Sequence, residues 1–251
     1  MGDRFARLRA FFVASMLMGG AIAQECMSAR RAAFGPEDLQ ERLGIDARTI
    51  PSRLESLLLE FDFRASDFDS DVENLIVYQL VKHLHAKASS KEGKSTCEIY
   101  CDARGYLPGI YRRLDERRVP RAFAFIPAIE SQFDPRAINR TSDAKGLWQW
   151  NGITLRHVRE TMGISLDPFD VQASNEVVAR IFAENQRSLK SWPLTLLAHN
   201  AGVSRVAKAA DPDSLENTLA DLSLETRCFY KRFVAWTYVF DFLEENPSVC
   251  R

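Results

Sequence analysis

The sequence is poor in the signatures of metal and nucleotide binding. It holds only four histidines and has no Cys-x-x-Cys pair, so the ligand spacings of zinc sites are missing. No glycine-rich loop of the phosphate-cradling kind occurs. No cofactor and no metal are therefore expected. Sustained alternation of apolar and polar residues, the mark of half-buried strands, is also lacking, as are internal repeats and low-complexity tracts. Charge nearly cancels: 33 Lys and Arg stand against 34 Asp and Glu, a net charge of -1. That balance points away from nucleic acid and from anionic membrane surfaces as partners. What the chain does have, at 46% hydrophobic and 27% charged residues, is enough apolar side chain to bury a core.

The N-terminus has a separate character. Arg4, Arg7 and Arg9 stand against Asp3, and a mostly apolar run from Ala10 ends at Ala21-Ile22-Ala23. A basic head, a short apolar body and a small-x-small exit describe a secretory signal peptide over residues 1–23. The run is too short to span a bilayer comfortably, which takes about 20 apolar residues, so no stable membrane insertion is expected after cleavage. All five cysteines, Cys26, Cys97, Cys101, Cys228 and Cys250, lie beyond it. An oxidising compartment permits disulfides, and an odd count leaves at least one thiol free or paired with another chain. Cys97 and Cys101, four apart, suit one helical face or a small closed loop. The connectivity itself is not readable from sequence.

Helical spacing dominates the rest. Leu54, Leu57, Leu58 and Phe61 follow the i, i+3, i+4, i+7 pattern, and Val72, Leu75, Ile76, Leu80, Val81 and Leu84 continue a second amphipathic helix. Residues 86–96 are polar and read as a loop. A helix is expected over about 107–118. Pro120 opens another that is apolar nearly all round, through Phe123, Phe125, Ile126 and Ile129, with Pro127 set to kink it or reset its start. Residues 134–151 read as loop or a short hairpin. Helices resume at about 154–162, 174–189, 193–198, 203–209 and 224–245, and the aromatic stripe of the last (Phe229, Phe233, Trp236, Phe240) reads as core. The expected organisation is all-α: a helical extension over 24–104 and a main domain over 105–245.

One residue breaks the pattern. Glu130 follows Phe-Ile-Pro-Ala-Ile on the most apolar helix of the chain. A carboxyl group deprived of water favours its neutral form, and a neutral carboxyl can donate a proton. Glu130 is accordingly the candidate general acid.

Its surroundings carry a resemblance. Glu130-Ser131 is followed by Phe133-Asp134-Pro135, then Gly146-Leu147-Trp148-Gln149, then Ala198-His199-Asn200-Ala201-Gly202, and finally Glu225-Thr226-Arg227. Each motif alone is weak, but four in order are specific. The set resembles the soluble lytic transglycosylase family of lysozyme-like enzymes, over about residues 106–238, and residues 113–135 look like its membrane-bound lytic transglycosylase D branch. The resemblance implies a lysozyme-like fold of the goose type, peptidoglycan glycan strands as substrate and a periplasmic location in a Gram-negative bacterium. It also implies a one-carboxylate mechanism that cleaves between N-acetylmuramic acid and N-acetylglucosamine and leaves 1,6-anhydro ends. Glu130 would be the catalytic group. Ser131, Gly146, Leu147, Trp148, Gln149, His199, Asn200 and Tyr230 would line or brace the substrate site. Ser131 would orient Glu130, Gly146 would let backbone approach the sugar, Gln149 would bond the glycan or its peptide, and Asn200 would brace the site. Most glycosidases use two carboxylates; the candidates for a second one here are Asp134 and Asp143, and neither stands in a matching motif.

Two departures bear on activity. The family's Ala-Tyr-Asn tyrosine is His199 here, where a neutral imidazole could supply the lost hydrogen bond, whereas a protonated one would favour ionised Glu130. The distal Glu-Thr-Arg-x-Tyr tyrosine is Phe229, with Tyr230 one residue late and so rotated by about 100° along a helix. A lysozyme-like hydrolase on the same fold, and a non-catalytic peptidoglycan-binding protein, both stay open.

Overall fold

The computed structural model describes residues 34–86 and 93–251. The expected signal peptide over residues 1–23 and Cys26 lie outside them. The described chain is all-α apart from one two-stranded hairpin. Helix α1 (Pro36–Leu43) starts on a proline and stops at Gly44, whose φ of 69° is left-handed. Helix α2 (Ile50–Leu57) buries Ile50 and Leu54, and Leu58 continues the stripe. Helix α3 (Ser70–Val77) is capped by Asp69, which accepts from the N–H groups of Asp71 and Val72, and it continues as a π turn over Tyr78–Lys82.

Helix α4 (Thr96–Glu116) begins eleven residues before the expected start at 107. The cause is a capping box: Ser95 Oγ accepts from the Glu98 N–H (3.2 Å), and Glu98 Oε2 accepts from the Ser95 N–H (2.7 Å). Ile99, Ala103, Leu107, Ile110 and Leu114 form its buried stripe. The expected boundary between residues 104 and 105 falls inside this helix.

A 3-10 turn (Arg121–Phe125) leads into the short α5 (Ile126–Glu130). Strands β1 (Ile138–Asn139) and β2 (Ala144–Lys145) then form the hairpin, antiparallel with Ile138 opposite Lys145 and Asn139 opposite Ala144. The remaining helices are α6 (Gly152–Met162), α7 (Val171–Leu189), α8 (Trp192–Ala201), α9 (Val203–Ala209), α10 (Leu215–Ala220) and α11 (Leu224–Glu245). Asn151, Asp170, Ser191, Ser214 and Ser223 cap α6, α7, α8, α10 and α11 with their side chains.

Helix α11 is the axle. Every residue over 232–240 is buried, so the helix lies inside the molecule rather than on it. Its aromatic stripe is core, as expected: Phe240 stacks on Phe125 at 4.6 Å and Phe233 meets Phe61 at 5.3 Å. Phe61, from the extension, also meets Phe123 at 5.3 Å. One contiguous hydrophobic core therefore runs from Leu39 to Leu243. Ion pairs reinforce the contact, with Lys231 reaching Asp69 (2.5 Å) and Asp71 (2.7 Å), and Arg53 reaching Asp241 and Glu245. A Cys97–Cys250 disulfide ties the start of α4 to the closing 3-10 turn (Pro247–Cys250). Cys228 is also disulfide-bonded, and Cys101 is an exposed free thiol. Among the described residues no helix is long and apolar enough to cross a membrane.

Candidate active site

Glu130 is the last residue of α5, and every residue over 122–130 is buried. Pro127 stands at the second helical position, where its missing N–H costs no hydrogen bond; it resets the helix start rather than kinking a longer one. The helix stops because Gln132 and Phe133 both turn left-handed, at φ of 53° and 54°. The N–H groups of Ser131 and Phe133 fold back onto the Pro127 carbonyl at 3.0 and 3.2 Å. The Glu130 carboxyl is thus presented where the helix ends, with 8% of the residue exposed.

The nearest charge-capable partner is His199 on α8, with Nε2 at 3.7 Å from Glu130 Oε1. That is beyond hydrogen-bond reach, and the buried Nε2 has no hydrogen-bond partner. The imidazole is wedged between Phe182 (5.4 Å) and Phe229 (6.0 Å). Among the described residues no Lys or Arg lies within 4.0 Å of the Glu130 carboxyl. The two candidate second carboxylates are engaged elsewhere. Asp134 accepts from the Arg136 N–H at 2.8 Å, and exposed Asp143 pairs with Lys145 at 3.1 Å. Among the described residues no group of His, Cys, Asp and Glu could hold a metal ion.

The other expected site residues fall into two groups. His199 and Asn200 are buried side by side on α8, with His199 facing Glu130. The hairpin residues instead build the wall behind the carboxyl. Ser131 Oγ donates to the Leu147 carbonyl (2.8 Å) and to the Pro127 carbonyl (3.3 Å), so it ties the end of α5 to the hairpin. Leu147 and Trp148 are core residues, each 1% exposed, and Trp148 Nε1 donates to Asn175 Oδ1 at 2.8 Å. Gln149 is buried at φ 51°, with its amide nitrogen donating to the Gly146 carbonyl at 2.9 Å. Gly146 is required by packing: its φ is 76°, and a Cβ there would sit 1.9 Å from the Pro168 carbonyl oxygen. Tyr230 is buried on α11, where burial, and then the charge of Asp67, push its hydroxyl above the usual tyrosine range. Phe229, not Tyr230, reaches the His199 ring.

Residues 110–218 match the family model described as the transglycosylase SLT domain. This stretch of the chain is therefore similar to an SLT domain. Two relatives named membrane-bound lytic murein transglycosylase D, from two strains of Escherichia coli, are each 28% identical to it over 146 residues. That stretch is 55% of this chain and 32% of theirs, so the chain spans about a third of the length of these relatives. The SLT match takes in Glu130, the hairpin, Gln149, His199 and Asn200, and it leaves out Tyr230, α11 and the extension. Two contributors beside the expected set are Asn175, which anchors Trp148, and Lys94, which grips Gln132 next to the Glu130 turn.

Proposed function

We propose that this protein is an exported peptidoglycan lytic transglycosylase in which Glu130 alone serves as acid and then as base. The observation that carries the reading is the buried Glu130 carboxyl at the end of α5, with no Lys or Arg within 4.0 Å of it among the described residues and with Asp134 and Asp143 bonded elsewhere. A protonated Glu130 gives its proton to the glycosidic oxygen as the C1–O bond breaks. The substrate's own 2-acetamido oxygen covers the positive charge left at C1. The Glu130 carboxylate then takes the proton of the C6 hydroxyl as O6 bonds to C1, and the 1,6-anhydro product leaves with Glu130 protonated again. No water is consumed, and attack from within the sugar avoids the entropy of recruiting a separate nucleophile. His199, whose Nε2 lies 3.7 Å from Glu130 Oε1, stands ready to stabilise the carboxylate between the two transfers. The periplasm is the matching compartment, since it holds the polymer and allows the Cys97–Cys250 disulfide.

Digestion of purified cell-wall sacculi, followed by mass spectrometry, tests this. Anhydro-ended muropeptides are expected from the protein and none from Glu130→Gln, with both folded. Reducing ends instead would make the protein a hydrolase, and an active Glu130→Gln would remove Glu130 from the chemistry.

A further inference from the structure

The turn after Glu130 is held in an unfavourable shape. Gln132 and Phe133 are consecutive non-glycine residues in the left-handed region, a conformation that costs L-residues energy and persists only where neighbours enforce it. Helix α5 is five residues long and too short to fix its own end. Ser131 is pinned on one side, by the Leu147 carbonyl. Gln132 is pinned on the other, by a segment outside the SLT match. The Lys94 N–H donates to Gln132 Oε1 at 2.9 Å, and Lys94 Nζ donates to the Gln132 carbonyl at 3.1 Å. Asp102, two turns into α4, holds the same Nζ at 2.8 Å. Gly93 makes the approach sterically feasible: its φ is 74°, and a Cβ there would lie 2.2 Å from Gln132 Oε1.

We propose that Lys94, braced by Asp102, is a positioning residue that sets the aim of Glu130 from outside the SLT domain. The inference rests on the reading of Glu130 as acid and base. Lys94 does not touch substrate; it fixes both the side chain and the main chain of Gln132, and so the direction in which the last residue of α5 points. Its contribution therefore falls on the chemical step and not on glycan binding.

The test is steady-state kinetics on soluble glycan strands released from peptidoglycan, together with thermal melts. Lys94→Met keeps the stem and the backbone N–H and removes only the ammonium. It is expected to lower kcat about tenfold, since misplacement by an ångström or less carries penalties of that order. KM should stay within about twofold, because uniform binding is untouched. Lys94→Arg should restore most of kcat. Asp102→Asn, at a side chain 46% exposed, provides a second route if Lys94→Met does not fold, with kcat lowered about threefold. A wild-type kcat in Lys94→Met overturns the proposal. So does a rise in KM at constant kcat, or a loss that vanishes when the assay runs far below the melting midpoint. Glu130→Gln separates the two readings: if it is inert while Lys94→Met is fully active, the latch alone fails, and if Glu130→Gln is active, the underlying reading fails.

Discussion

At the scale of single residues, Glu130 and His199 form an unusual pair. A buried ring nitrogen without a partner costs roughly 1–3 kcal/mol, and His199 Nε2 is such an atom, 3.7 Å from a carboxyl oxygen. Groups left unsatisfied in this way belong to function more often than to stability. The two effects can be set against each other. His199→Phe keeps a ring between Phe182 and Phe229 but removes the nitrogens. It should raise the stability by about 1 kcal/mol, read as a higher denaturation midpoint, and lower muropeptide release at least tenfold. A variant that loses stability along with activity would show His199 to be ordinary packing. Glu130 was legible in the sequence because a charge stood in an apolar run. The work of Ser131, Leu147 and Trp148 was not, because motif spacing brings residues near a site without saying which way each side chain turns. Here they face inward, to the Leu147 carbonyl, the core and Asn175.

At the scale of elements, caps and ends decide the outcome. The long helices were legible from apolar spacing, and α9 and α11 begin and end at the expected residues. The first half of α4 was missed because its signal is the Ser95–Glu98 box within a polar stretch, and α10 because six residues show too little periodicity. The hairpin is tied to the loop before α7 by the contact at Gly146. Gly146→Ala would force a Cβ against the Pro168 carbonyl oxygen, at a left-handed φ as well, and should cost about 2–4 kcal/mol, seen as a lower urea midpoint at constant slope. The far end of α11 carries a liability of the opposite kind. Glu244 and Glu245 sit at a helix C-terminus, where the dipole disfavours anions. Burial raises the pKa of Glu244, and the nearby Asp241 charge adds to the shift. A carboxyl whose folded pKa is raised weakens the fold once it ionises, so the cost is absent below the ordinary carboxylate range and complete above the raised value. Glu244→Gln should therefore stabilise by a few tenths of a kcal/mol at pH 7, given its partial exposure, and by nothing near pH 3. Melts at the two pH values check the sign.

At the scale of the whole molecule, the extension and the region that matches the SLT model share one interior. The sequence suggested a seam at residue 104 because a polar stretch preceded it and the recognised motifs began after it. Polarity of a loop reports on its own exposure and carries no information on what packs across it, and the partners of Phe61, Phe123 and Phe233, lie far apart in sequence. Cutting there would sever α4 at its eighth residue past Thr96, delete Phe61 from its aromatic cluster, and remove Cys97 from the bond to Cys250. It would also strip Lys231, Asp241 and Glu245 of their ion pairs and expose the face of α11 that packs on α2 and α3. Loss of one buried Phe alone costs about 3–5 kcal/mol, and native domains hold only about 5–15 kcal/mol in total. A fragment of residues 105–251 is therefore expected to lack a cooperative melting transition and to release no muropeptides, whereas residues 34–251 should melt cooperatively as a single unit. A folded, active 105–251 fragment would show that the motifs alone suffice and that the extension is an attachment to a domain complete without it.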